Sequence, residues 1–171
     1  MDLKEYIRSI PDYPKKGILF RDITTLIKDS NAFNYSIDQI IDISKKLEFD
    51  KIAAIESRGF IFASAVSYKL KKPFILMRKK NKLPAEKVSV DFELEYGKAT
   101  LEIHKDSINE GEKILIIDDL IATGGTAEAG AKLVEMSKGK VAGFIFIINL
   151  FDLGGNKKLN KDRKSTRLNS S

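Results

Sequence analysis

Apolar residues follow two rhythms along this chain. Unbroken runs bounded by charge or turn residues, IAAIE (52–56), FILM (74–77), ILII (114–117) and VAGFIFIINLF (141–151), predict strands buried on both faces, as in a parallel sheet. Between them lie stretches with helical spacing. From Ser30 to Leu47 the apolar positions are Ile37, Ile40, Ile41, Ile43 and Leu47, with Ser30 or Asn31 as the expected N-cap. FIFASAVSYKL from Phe60 and TAEAGAKLVEM from Thr126 read as two more helices, and residues 2–9 as a short one closed by Pro11 and Pro14. Residues 88–103 change to period two: Val88, Val90, Phe92 and Leu94, then Leu101 and Ile103 beyond Tyr96-Gly97, which predicts an antiparallel hairpin. Strands alternating with helices imply an α/β fold, a central parallel sheet flanked by helices and joined by right-handed crossovers.

Composition narrows the chemistry. With 171 residues, one domain over 1–159 is expected. From Asn156 the chain turns polar and basic, NKKLNKDRKSTRLNSS, so residues 160–171 read as a disordered tail of the kind a cloning or assembly scar leaves. There is no cysteine and one histidine, His104, which excludes disulfides, thiolate sites and multi-histidine metal centres. No run of about 18 apolar residues occurs, and MDLKEYIRSIPDYP has no signal-peptide core, so a cytoplasmic location without a membrane partner is expected. The net charge of +6 suits nucleic acid and a small polyphosphate equally, and alone describes a solvated surface.

ILIIDDLIATGGT (114–126) carries the most chemistry. Ligands of open α/β sheets bind beyond the carboxyl ends of strands, where Asp118 and Asp119 fall. Backbone amides of Ala122, Thr123, Gly124, Gly125 and Thr126, opening a helix, form a concave nest for a phosphate, and the two threonines add hydroxyl donors. The aspartates would repel that phosphate but can hold sugar hydroxyls, or a metal bridging to them, so a ribose 5-phosphate satisfies both halves. Neither GxxxxGK[ST] nor a strand-following GxGxxG is present. The bland alternative is a capped strand-to-helix turn, for which paired aspartates have no use.

ILIIDDLIATGGT resembles the phosphoribosyl-pyrophosphate (PRPP) motif of type I phosphoribosyltransferases. Within that family, IRSIPDYPKKGILFRDIT (7–24), ESRGF (56–60), MRKKNKLP (77–84) and LEYGKATLEIHKD (94–106) are similar to the members that act on adenine, in order from about Leu3 to Leu159. The resemblance implies that fold with an N-terminal hood and a β-hairpin lid, in a homodimer that converts adenine and PRPP to AMP and diphosphate in purine salvage. Mg²⁺ would arrive bound to PRPP, with no metal ligand supplied directly by the protein and no nucleic acid as partner.

The same resemblance distributes the work. Asp118, Asp119 and the 122–126 loop would take the ribose 5-phosphate. Glu56, Ser57, Arg58 and Gly59 would cradle the pyrophosphate through their main chain, around a cis peptide at Glu56–Ser57, with Arg78 and Lys82 reaching it from the RKKNK run. Leu19, Phe20 and Arg21 would read adenine, Phe20 by stacking and its neighbours through the backbone. Glu95 and Tyr96 at the lid tip, with Arg78, would act at the reaction centre, Glu95 accepting the N9 proton. Each has a plainer reading: Phe20 as core, Arg58 as a surface ion pair, RKKNK as a solvated charge run, Glu95 as a turn carboxylate. His104 receives no role. The pattern departs at Asn149 and Asn156, where relatives often carry glutamate and arginine, and in the polar tail, where they continue with an apolar strand. A xanthine- or orotate-using enzyme would share the PRPP motif but lack GILFRD (17–22) and LEYGKA. A PRPP-sensing regulator would need a DNA-binding domain where the hood already lies.

Overall fold

The computed structural model describes residues 1–94, 97–149, 155 and 159, and the backbone of 165–170. The chain opens with a single 3-10 turn, Leu3–Tyr6, whose Lys4 N–H donates to the Asp2 carboxylate. It continues as β1 (Arg8–Pro11), which pairs antiparallel with β2 (Leu19–Asp22). The helix expected over 2–9 is therefore one turn only. So short a segment gains too few hydrogen bonds to nucleate a helix, and pairing with β2 takes the residues that follow.

Helix α1 (Thr24–Lys28) and helix α2 (Ser30–Ser44) come next, the latter capped by Asp29, whose carboxylate accepts the Ala32 N–H at 2.9 Å. The cap lies one residue ahead of the expected Ser30. Then come β3 (Lys51–Ile55), α3 (Arg58–Leu70), β4 (Phe74–Lys79), β5 (Lys87–Leu94), β6 (Gly97–His104), β7 (Lys113–Ile121), α4 (Gly125–Met136), β8 (Lys140–Asn149) and β9 (Ser165–Ser170).

The main sheet has the order β5-β6-β4-β3-β7-β8-β9. From β4 to β9 neighbours run parallel, and the β5–β6 hairpin adds antiparallel strands at one edge. The continuous apolar runs are explained by burial on both faces. Ala53, Ile55, Ile114 and Ile116 face α4, while Ile52, Ala54, Leu115 and Ile117 face α2 and α3.

The tail departs from expectation. Its residues 165–170 form β9, aligned along β8 from Phe144↔Ser165 to Asn149↔Ser170. A parallel edge is paired through main-chain groups that any sequence possesses, so the polar side chains STRLNS gave no sign of it. Covering β8 also hides an apolar edge that would otherwise be open to association.

Candidate functional site

The carboxyl ends of β3 and β7 meet over a cavity of about 310 Å³. Residues 56–58 line one side and residues 118–126 the other, with Leu94 of the hairpin above. Of the residues expected to bind PRPP, the structure brings together here Glu56, Ser57, Arg58, Asp118, Asp119, Ala122, Thr123, Gly124, Gly125 and Thr126. The Glu56–Ser57 peptide is cis. Gly59 lies beneath, in the first turn of α3, where a Cβ would stand 2.8 Å from Asp118 Oδ1. Its missing side chain lets the 56–60 turn close on β7.

Strand β7 runs three residues beyond Asp118, so both aspartates belong to the strand and lie buried at its end. Asp118 Oδ1 accepts the Asp119 N–H at 2.9 Å. Burial, reinforced by the Asp119 charge, pushes the Asp118 carboxyl well above the ordinary carboxylate range. Burial raises Asp119 as well, against the pull of Arg58. Arg58 Nε stands 2.7 Å from Asp119 Oδ2, yet off the line of its N–H, so the contact is ionic and this buried oxygen accepts no hydrogen bond among the described residues. Such a pair is short of donors, and a vicinal diol supplies them.

The loop after β7 turns at Gly124, whose φ of +83° is a conformation that favours glycine. Gly155, which follows β8, clasps this loop by donating its N–H to the Ala122 carbonyl at 2.9 Å. A Cβ on Gly155 would sit 2.2 Å from that carbonyl oxygen and 2.8 Å from Gly124 N, so only glycine fits there. Gly155 carries no chemical group, and nothing in its local sequence pointed to the loop.

Arg78, near the end of β4, and Lys82, on the turn that follows, stand apart from this cavity. Glu56 orients Arg78, its carboxylate accepting from Arg78 Nε at 3.2 Å, Arg78 Nη2 at 3.3 Å and the Lys79 N–H at 2.9 Å. Burial pushes Glu56 upward, but the Lys79 N–H and Arg78 outweigh it and its carboxyl is lowered. Lys82 is exposed to solvent.

The hood residues are placed by β2. Asp22 is ion-paired with Arg8, its register partner on β1, and accepts the Thr24 N–H at 2.9 Å. Leu19 is exposed, and Arg21 Nη1 donates to Ser9 Oγ at 2.5 Å. Among the described residues, Phe20 belongs to neither core cluster. Its ring meets Tyr13 edge-on at 5.2 Å and lies 5.4 Å from the Arg58 guanidinium carbon.

The hairpin expected to be a mobile lid is anchored along its stem: Val88, Val90 and Phe92 pack on the core, and the Glu93 carbonyl faces Gly125. Glu95 and Tyr96 lie outside the described residues.

A parallel sheet with this cavity at its carboxyl edge matches the phosphoribosyl transferase domain over residues 20–170, and the chain belongs to that family. It is 75% identical over 161 residues to the adenine phosphoribosyltransferase of Pelagibacter ubique (strain HTCC1062), covering 94% of this chain and 92% of that one. The adenine phosphoribosyltransferase of Pelodictyon phaeoclathratiforme is 55% identical over 161 residues, covering 93% and 91%. Among solved structures, adenine phosphoribosyltransferase from Thermoanaerobacter pseudethanolicus superposes with a TM-score of 0.95 at 49% identity, covering 99% of this chain and 98% of that one. The Saccharomyces cerevisiae enzyme, complexed with D-2,5-dideoxy-2,5-imino-altritol 1,6-bisphosphate and adenine, does so at 0.89 and 34%, covering 96% and 95%.

Proposed function

We propose that this protein is an adenine phosphoribosyltransferase, forming AMP and diphosphate from adenine and PRPP for purine salvage. The observation that carries the reading is the union, in one cavity, of two buried donor-seeking carboxylates with a glycine-turned loop at a helix N-terminus. The carboxylates take the ribose hydroxyls, and the 122–126 amides with Thr123 and Thr126 take the 5-phosphate. The 56–59 turn, with Arg78 and Lys82, receives the diphosphate and the charge it gains on departure.

In the reaction the C1–O bond to diphosphate breaks, its electron pair leaving with the oxygen. The N9–C1 bond forms, and the N9 proton passes to Glu95, with Tyr96 assigned to the same centre and closure of the hairpin excluding water. Adenine stacks on Phe20, and the main chain at Leu19 and Arg21 reads its edge. Mg²⁺ arriving with PRPP would neutralise diphosphate charge. Asp119 Oδ2, buried and short of a donor, fits a water or hydroxyl of such an ion's shell.

The protein acts as a homodimer in this reading, supported by Ile61, Tyr68 and Leu76, large apolar side chains exposed on α3 and β4. No described helix is long and apolar enough to cross a membrane, and a cytoplasmic location accompanies the salvage role. Incubation with PRPP, Mg²⁺ and adenine tests the reaction. AMP and diphosphate in equal amounts, each dependent on both substrates, are expected. Diphosphate release without nucleotide would overturn it.

A further inference from the structure

Glu102 is a buried carboxylate that the reaction outlined above does not use. Glu102 lies in the middle of β6 and is 3% exposed. Its register partners are Arg78 on β4 and Ser89 on β5, so it sits where the hairpin joins the rest of the sheet. Glu102 Oε2 accepts the Asn81 N–H at 3.0 Å, and Oε1 accepts the Ser89 hydroxyl at 3.1 Å. Lys87 Nζ stands 3.8 Å from Oε2.

Asn81 is the left-handed residue, φ 64°, of the tight turn in which Lys82 N–H donates to the Lys79 carbonyl at 3.3 Å. Arg78 Nη1 closes the same turn by donating to the Lys82 carbonyl at 3.3 Å. Two carboxylates thus hold one cationic turn from opposite sides. Glu56 takes the Lys79 N–H and ties the turn to the pyrophosphate cradle, and Glu102 takes the Asn81 N–H and ties it to the hairpin.

We infer that Glu102 is a positioning residue for diphosphate recognition, fixing the cations of the 78–82 turn relative to the lid hairpin. A charge-assisted hydrogen bond to a backbone amide is directional, and from a buried site it holds a turn that its own exposed lysines would push apart. Released from Glu102, Arg78 and Lys82 would remain charged but lose their place. The loss would fall on groups that bind diphosphate and leave the adenine side untouched. The inference rests on the reading that this turn receives diphosphate.

Steady-state kinetics and thermal melts of Glu102→Ala, Glu102→Asp and Glu102→Gln test it, with product inhibition by diphosphate and by AMP measured for each. Asp keeps the charge but shortens the reach, whereas Gln keeps the reach and an acceptor oxygen. Losing a bond of this class predicts that Ala and Asp raise the KM for PRPP and the inhibition constant for diphosphate about tenfold, with the KM for adenine and AMP inhibition within about twofold. Gln should stay within about twofold of wild type in all four, since its amide oxygen still accepts the Asn81 N–H. If Ala does not fold, the contrast between Asp and Gln decides. Wild-type diphosphate inhibition in folded Asp and Ala variants, or a rise shared equally by adenine and PRPP, would overturn the inference. Arg78→Ala separates the two readings. If it too leaves diphosphate inhibition unchanged, the assignment of the turn has failed; if it weakens inhibition while the Glu102 variants do not, only the role of Glu102 has.

Discussion

Arg58 Nε stands 2.7 Å from Asp119 Oδ2, and the same guanidinium lies over the ring of Phe20. One cation thus touches a carboxylate proposed for ribose and the ring proposed for adenine. Because Arg58 opposes the burial that raises Asp119, removing it should push that carboxyl higher still. Arg58→Gln should shift the acidic limb of the pH profile of kcat/KM for PRPP to higher pH and lower its plateau about tenfold. An unmoved limb with full activity would show that the contact is incidental.

Asp118 should cost the free protein stability at neutral pH. Its folded carboxyl is raised above the ordinary value of 3.8, so the folded state holds the proton more tightly than the unfolded state. Stability therefore falls as pH rises from about 4 through the raised value and stays lower above it. Asp118→Asn should raise Tm at pH 7, by about 2–4 °C per kcal/mol relieved, while weakening PRPP use. Melts with and without PRPP check both halves. A lower Tm in the absence of ligand would mean that the charge is already satisfied.

The loop proposed for the 5-phosphate should fail when its clasp is filled. Gly155→Ala places a methyl 2.2 Å from the Ala122 carbonyl oxygen, and Gly124→Val opposes a φ of +83°. Each should raise the KM for PRPP more than about tenfold, with a smaller effect on stability. Lys132→Ala, exposed farther along α4, should be nearly silent. Activity against PRPP concentration, paired with a melt for each variant, gives the comparison. Normal PRPP binding in Gly124→Val would reduce the loop to a plain turn.

Acid should loosen the hood only below the range in which the raised ribose-site carboxyls take up their protons. The Arg8 side chain, then the Thr24 amide, lower the Asp22 carboxyl from 3.8 to about 2. A depressed carboxyl contributes stability that is complete above about 4 and is lost as pH falls toward about 2. Hydrogen exchange at the Thr24 amide, which Asp22 accepts at 2.9 Å, should accelerate over that window relative to the unfolded chain. Asp22→Asn should remove this pH dependence. Exchange that ignores pH between 4 and 2 in the unaltered protein would contradict the assignment.

Buried strands and the 118–126 loop announced themselves in the sequence because double-sided burial demands unbroken apolar runs and a phosphate nest demands glycine. The β5–β6 hairpin was equally visible in its period-two pattern, with Val88, Val90 and Phe92 packing as that pattern implies. Strands β1 and β2 were hidden because four residues apiece leave no periodicity, and Arg8–Asp22 pairing joins distant segments. Strand β9 was hidden because its pairing is main-chain pairing. Gly155 and Glu102 act through backbone groups of distant loops, Ala122 and Asn81, and no local spacing encodes such a partner.

Base choice is decided by offering the protein PRPP and Mg²⁺ with adenine, hypoxanthine, guanine, xanthine or orotate, and identifying the nucleotide formed. AMP is expected from adenine, with hypoxanthine and guanine slower by at least about a hundredfold, because a keto purine would leave the main-chain groups at Leu19 and Arg21 unpaired. Efficient formation of IMP, GMP, XMP or OMP would contradict this expectation.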